Sequence, residues 1–139
     1  MSDIARASFA KADRALRSAR LLLQNGDVDG ACSRAYYAIF DAAKGALSSL
    51  DPAVDRSDVK THRGVMGAFD ARLVRTDTVP RELGRLFRHA QELRLVGDYR
   101  TDSVGEEDAA TAVEEAERFV AAMVALVGGD VEDDTSPPG

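Results

Sequence analysis

The stretch Ser33-Arg34-Ala35-Tyr36-Tyr37-Ala38-Ile39-Phe40-Asp41-Ala42-Ala43-Lys44 decides the fold. Its apolar residues return at helical spacing. Tyr36, Ile39, Phe40, Ala43, Leu47 and Leu50 share one face, which predicts a helix from about 27 to 50. Tyr36 belongs to that core face, where a buried phenol needs a partner for its hydroxyl. Arg34, Tyr37, Asp41 and Lys44 form a polar seam on the flank, open to solvent or to another subunit.

The same period continues on both sides. Phe9, Ala12, Leu16, Ala19 and Leu23 predict a helix over 3–24, and Asn25-Gly26-Asp27 supplies a stop followed by an N-cap. Asp51-Pro52 ends the second helix ahead of a polar loop, 51–59. A third helix is predicted over 60–74. Pro80 suits the first position of a fourth, which runs to about Val96 with Gly97 as its cap. Ser103-x-x-Glu106 reads as a capping box for the fifth helix, which Gly128-Gly129 ends. No stretch alternates like a strand. The prediction is an all-α, up-and-down bundle of four long helices plus a shorter one over 1–128, with an acidic disordered tail over 129–139.

Composition narrows the function. The 139 residues suffice for one domain, with 45% hydrophobic and 30% charged residues. No run is apolar enough to span a bilayer, and the N-terminus lacks a signal-peptide pattern, so a cytoplasmic protein with no membrane role is expected. The one cysteine, Cys32, excludes an internal disulfide and a cysteine-based zinc site. His62 and His89 show no metal-ligand spacing, and neither a metal nor a cofactor is expected. The net charge of −6 is not that of a generally basic nucleic-acid binder. The segment 72–100, however, is rich in arginine.

Chemistry concentrates on the fourth helix. Leu83, Leu86, Phe87, Ala90 and Leu93 form its inner face, whereas Arg81, Arg85 and Arg88 lie opposite. Arg94 follows Ala90 by four residues and Phe87 by seven, so it projects inward. A buried cation needs an acid such as Asp98 or Asp41, or else it faces a cleft that takes an anion. His62, near the start of the third helix, reads first as a structural hydrogen-bonder and second as the lining of a functional pocket.

The chain resembles a HEPN domain, in particular the small prokaryotic stand-alone branch associated with minimal nucleotidyltransferases. The resemblance rests on 33–44, on Lys60-Thr61-His62-Arg63-Gly64, on Arg94-x-x-x-Asp98-Tyr99 and on a last helix containing Ala109 to Phe119, in that order. It implies a bundle that forms a homodimer with its functional groove at the seam. It also implies a toxin–antitoxin component acting on RNA or nucleotides. Many such domains are metal-independent endoribonucleases with an arginine followed four to six residues later by a histidine. The arginine stabilises phosphoryl charge and the histidine positions or activates the ribose hydroxyl.

Here Arg94 matches the arginine, but Tyr99 stands where the histidine is expected. Tyrosine, with a reference pKa of about 10, is a poor base at neutral pH. The implied catalytic set is Arg94, Asp98, Tyr99 and His62, with His62 supplying an imidazole through space. Asp98 orients its neighbours, and Tyr99 donates a hydrogen bond or accepts a modification from a nucleotidyltransferase partner. Arg34, Tyr37, Lys60 and Arg88 are the substrate-binding candidates. The alternative implied is a non-enzymatic module that pairs with a nucleotidyltransferase.

Overall fold

The computed structural model describes residues 2–51, 60–99 and 103–134, with Tyr99 and 129–134 as helical backbone. Its elements are α1 (Asp3–Gln24), α2 (Val28–Leu50), α3 (His62–Phe69), a π-helical turn (Asp70–Val74), α4 (Arg81–Tyr99) and α5 (Glu106–Asp134). The fold is the expected all-α bundle. Helix α2 is its axis, packed against α1, α3, α4 and α5.

Local chemistry explains the first three starts. The Ser2, Asp27 and Thr61 side chains accept the amide protons of Ala5, Gly30 and Gly64 at 3.1, 2.9 and 2.9 Å. Each satisfies a donor that the helix itself cannot. Gly26 takes φ of 81°, the left-handed turn that separates α1 from α2. Small residues on α2, including Ala31, Ala35, Ala38, Ala42 and Gly45, let its neighbours approach closely. A Cβ at Gly45 would lie 2.9 Å from the Phe9 ring on α1.

Four local expectations differ from the structure. The predicted helix over 60–74 widens after Phe69 into the π turn, closed by Arg75 N–H donating to the Asp70 carbonyl at 2.9 Å. Leu73 and Val74 both enter the core there. Gly97 does not cap α4, which continues to Tyr99. A Cβ at Gly97 would meet that of Asp29 at 3.2 Å, so glycine permits the first turn of α2 to pack there.

Ser103 does not cap α5. Its hydroxyl donates to Asp29 Oδ2 at 3.1 Å, and the Val104 amide donates to Asp29 Oδ1 at 3.0 Å. Helix α5 passes through Gly128-Gly129 to Asp134. Each glycine costs about 1 kcal/mol relative to alanine in a helix, which weakens the helix without forcing it to stop.

Asp29 thus ties the start of α2 to the segment after α4. Asp29→Ala is expected to lower unfolding free energy by about 1–2 kcal/mol in urea denaturation, since both acceptors vanish while the donors remain. An unchanged midpoint would show that the tether contributes no stability.

Phe69, Phe87 and Phe119 meet in the core, with ring centres 5.3–5.8 Å apart. These rings join α3, α4 and α5. Among the described residues no helix is long and apolar enough to cross a membrane.

Candidate functional site

Helix α4 buries Leu83, Leu86, Phe87 and Ala90, and the same face carries Arg94 inward. The Arg94 side chain is only 13% exposed. Its guanidinium carbon lies 4.8 Å from the centre of the Tyr36 ring, a cation–π contact. Nε donates to Gln91 Oε1 at 3.1 Å, and Nη1 lies 3.5 Å from Asp98 Oδ2. The acid beside Arg94 is therefore Asp98 rather than Asp41. With its carboxylate 41% exposed and the contact long, Asp98 neutralises the cation only weakly.

Tyr36 is fully buried, and its hydroxyl lies 2.7 Å from His62 Nδ1. Burial pushes the phenol up to about 12, against the opposing pull of Arg94. The phenol keeps its proton at neutral pH and shares one hydrogen bond with Nδ1, whose direction follows the imidazole tautomer. Where the phenol donates, the neutral imidazole carries its own proton on Nε2; where it accepts, the proton is on Nδ1. The His62 ring stacks on Phe40, with centres 4.6 Å apart, and lies 5.6 Å from Tyr37 in an edge contact.

Burial lowers the His62 pKa, Arg94 lowers it further, and Asp41 opposes them. An NMR titration is expected to place His62 below the unperturbed value of about 6.5 and to move it upward in Arg94→Gln. Between the folded and unfolded pKa values the unfolded chain binds more protons. The stability linked to this ring is therefore complete above about pH 6.5 and is lost as pH falls through that window toward the folded pKa. A midpoint at or above the unperturbed value would contradict this environment.

A cleft of about 660 Å³ opens between α3 and α4 beside this cluster. His62, Met66 and Phe87 line it together with Arg63, Arg88 and Gln91. Arg94 is not among the lining residues, but Gln91, which accepts its Nε–H, is. The cleft therefore combines an apolar floor with two arginines, an imidazole and one carboxylate, Asp70, which is paired with Arg75.

The other sequence candidates fall in several places. Asp98 adjoins Arg94, and Arg88 reaches the cleft. Tyr99 closes α4, and its side chain lies outside the described residues. The Arg34 guanidinium sits 5.1 Å above the Tyr37 ring, which makes an edge contact with Tyr36 at 5.4 Å. Lys60 is exposed just ahead of the Thr61 cap and does not line the cleft.

Tyr36 and Gln91 escaped the sequence reading as site residues. Tyr36 looked like core, and its unassigned hydroxyl partner was the available clue. Gln91 stands three residues before Arg94, a spacing at which helical side chains meet. His89 lies elsewhere, 3.4 Å from Glu115 of α5. Cys32 is buried, and desolvation followed by Asp29 and Asp108 raises its thiol to about 11, so it is not a reactive thiolate.

Residues 5–127 match the HEPN domain family. A Methanocaldococcus jannaschii protein named "Putative toxin MJ0605" is 36% identical over 111 residues, 78% of each chain. UPF0332 proteins from Gloeobacter violaceus and Thermotoga maritima are 30% and 31% identical. Those matches cover 79% and 84% of this chain and 85% and 86% of the relatives. Fold and similarity together define an all-α HEPN domain. This chain belongs to the HEPN family, among relatives that include the toxin-named protein.

Proposed function

We propose that the chain is a HEPN-type toxin–antitoxin component that acts on RNA as a metal-independent endoribonuclease. The observation that carries the reading is Arg94, a mostly buried cation with weak acid pairing, stacked on the ring that hydrogen-bonds His62. Arg94 holds a phosphoryl oxygen, and His62 donates Nε2–H to a second one. Asp98 orients Arg94. Tyr99 donates a further hydrogen bond, and Arg34, Tyr37, Lys60 and Arg88 contact the flanking chain.

In the step itself the RNA 2′-oxygen attacks phosphorus and the bond from phosphorus to the 5′-oxygen breaks. The products are a 2′,3′-cyclic phosphate and a 5′-hydroxyl. The 2′-hydroxyl proton leaves to water, and the departing oxygen takes one from water. The protein's contribution is stabilisation of phosphoryl charge in a desolvated site. A homodimer brings two such sites to one groove.

The test is incubation of wild type and Arg94→Ala with structured RNAs in EDTA, read on a gel. Cleavage by wild type alone supports the proposal. Equal cleavage by both removes Arg94 from the site.

A second reading, a non-enzymatic module that pairs with a minimal nucleotidyltransferase, is favoured by the Tyr36 hydrogen bond. With the phenol as donor, that bond occupies Nδ1 and leaves the ring without a free basic nitrogen, and Tyr99 replaces the motif histidine. In this reading Tyr99 is the side chain that the partner modifies. Absence of cleavage by either protein, with co-purification of a nucleotidyltransferase, selects it.

A further inference from the structure

The free hydrogen-bonding side chains that line the α3/α4 cleft are mostly donors. Arg63 and Arg88 have no ion pair or hydrogen bond among the described residues. Gln91 turns its Oε1 to Arg94 Nε at 3.1 Å. A guanidinium offers donors alone, so that contact fixes the amide's orientation and leaves its NH2 for the cleft. Asp70, the one carboxylate in the lining, is paired with Arg75 at 2.9 Å. His62 adds a ring nitrogen that donates or accepts with its tautomer.

The space between these groups is apolar. Phe69 and Phe87 lie buried beneath it, and Met66 and Gly67 are the accessible part of its wall. A Cβ at Gly67 would meet nothing within 4 Å, and its φ is not positive. Neither packing nor backbone geometry asks for glycine there, and its effect is to leave room above α3. Asp70 and Arg88 also line a second hollow of about 330 Å³, together with Arg75 and Arg81. An apolar space joined through Arg88 to a basic hollow matches a nucleotide, whose flat base is followed by a phosphate. His62 and Gln91 join the same cleft to the Arg94 cluster.

The donors discriminate between bases. Guanine presents two adjacent acceptors, O6 and N7, which an arginine fork meets with two bonds. Adenine presents its N6 amino donor beside N7, and its usual partner is an amide that offers both an acceptor and a donor. Gln91 is not free to be that amide, because its oxygen faces Arg94. Arg88 is an exposed fork three residues before Gln91 on α4. Its Nη1 lies against the helix at Gly84, 3.5 Å from where a Cβ would stand.

We propose that the α3/α4 cleft is a guanine-selective subsite, in which Arg88 reads O6 and N7 of the base next to the phosphate assigned to Arg94. Unpaired RNA bases expose that edge, and the base rests against Met66 and the α3 backbone. Arg81 meets the following phosphate. The inference rests on the RNA reading above and adds a sequence preference to it.

The test is fluorescence anisotropy with labelled, 2′-O-methylated oligouridylates that carry one central guanine, adenine or 7-deazaguanine. Wild type is expected to bind the guanine strand at least about five-fold more tightly than the adenine strand, the low end for one bidentate base contact. The 7-deazaguanine strand lacks the N7 acceptor and should fall to the adenine level. Gly67→Leu fills the cleft from an open position, so it should bind all three strands alike and keep its melting temperature by circular dichroism. Arg88→Gln replaces the fork by an amide and should lose the guanine preference.

Equal binding of the guanine and adenine strands by wild type overturns the subsite and leaves RNA action at Arg94 standing. So does tight binding of the 7-deazaguanine strand, or a guanine preference that survives either substitution. Failure of the wild type to bind any strand at low salt overturns both readings. If Gly67→Leu lowers the melting temperature, Arg88→Gln, at an exposed position, decides alone.

Discussion

Arg94→Ala is expected to reduce metal-independent RNA cleavage by about 10²–10³-fold, the usual loss when one preorganised donor to a developing oxyanion is removed. The fold should survive. Arg94 contributes a ring contact and two side-chain hydrogen bonds, one of them long, and its removal also relieves the cost of a desolvated charge. Circular dichroism should therefore show a native spectrum and a cooperative melt. Arg94→Lys separates charge from shape. Lysine keeps the cation but loses the planar fork that lies on Tyr36 and reaches two oxygens at once, so activity should recover only in part. Full activity in Arg94→Ala would remove the central residue of the proposed site.

The largest stability effect is expected from Phe119→Ala. Phe119 is completely buried on α5, with Phe69 and Phe87 at 5.3 and 5.8 Å. Truncation removes the ring's transfer energy and leaves a cavity that three different helices must collapse to fill. Such changes cost about 3–5 kcal/mol. Against a domain stability of about 5–15 kcal/mol, that loss is enough to unfold much of the protein at elevated temperature. Urea denaturation should show a lower midpoint with an unchanged slope. Val124→Ala is the comparison on the same helix. Its side chain is 45% exposed, and the change should stay within about 0.5 kcal/mol. Similar losses from both substitutions would contradict the aromatic packing as the anchor of α5.

Much of the architecture was legible because helices are local. The spacing of Phe9, Ala12 and Leu16, the Asn25-Gly26-Asp27 turn and the run from Tyr36 to Leu50 each act within a few residues. The observed α1 and α2 follow them closely. The inward direction of Arg94 was legible too, because helical rotation carries it onto the face of Phe87 and Ala90. Gly97 and Ser103 were misread for the opposite reason. Both answer to Asp29, whose carboxylate lies 74 residues from Ser103 in the chain, and local capping rules contain no term for such a partner.

The candidate site shows the same division. Residue spacing singled out Arg94 and left Asp98 and Asp41 as its possible acids, and the family resemblance joined Asp98 and His62 to it. Only packing joined His62 to the Tyr36 hydroxyl across 26 residues and set Arg94 over that ring. Which ring nitrogen carries the proton is tied to that union. A tautomer depends on what the other nitrogen touches, and α2, α3 and α4 settle that contact only when they come together around one phenol.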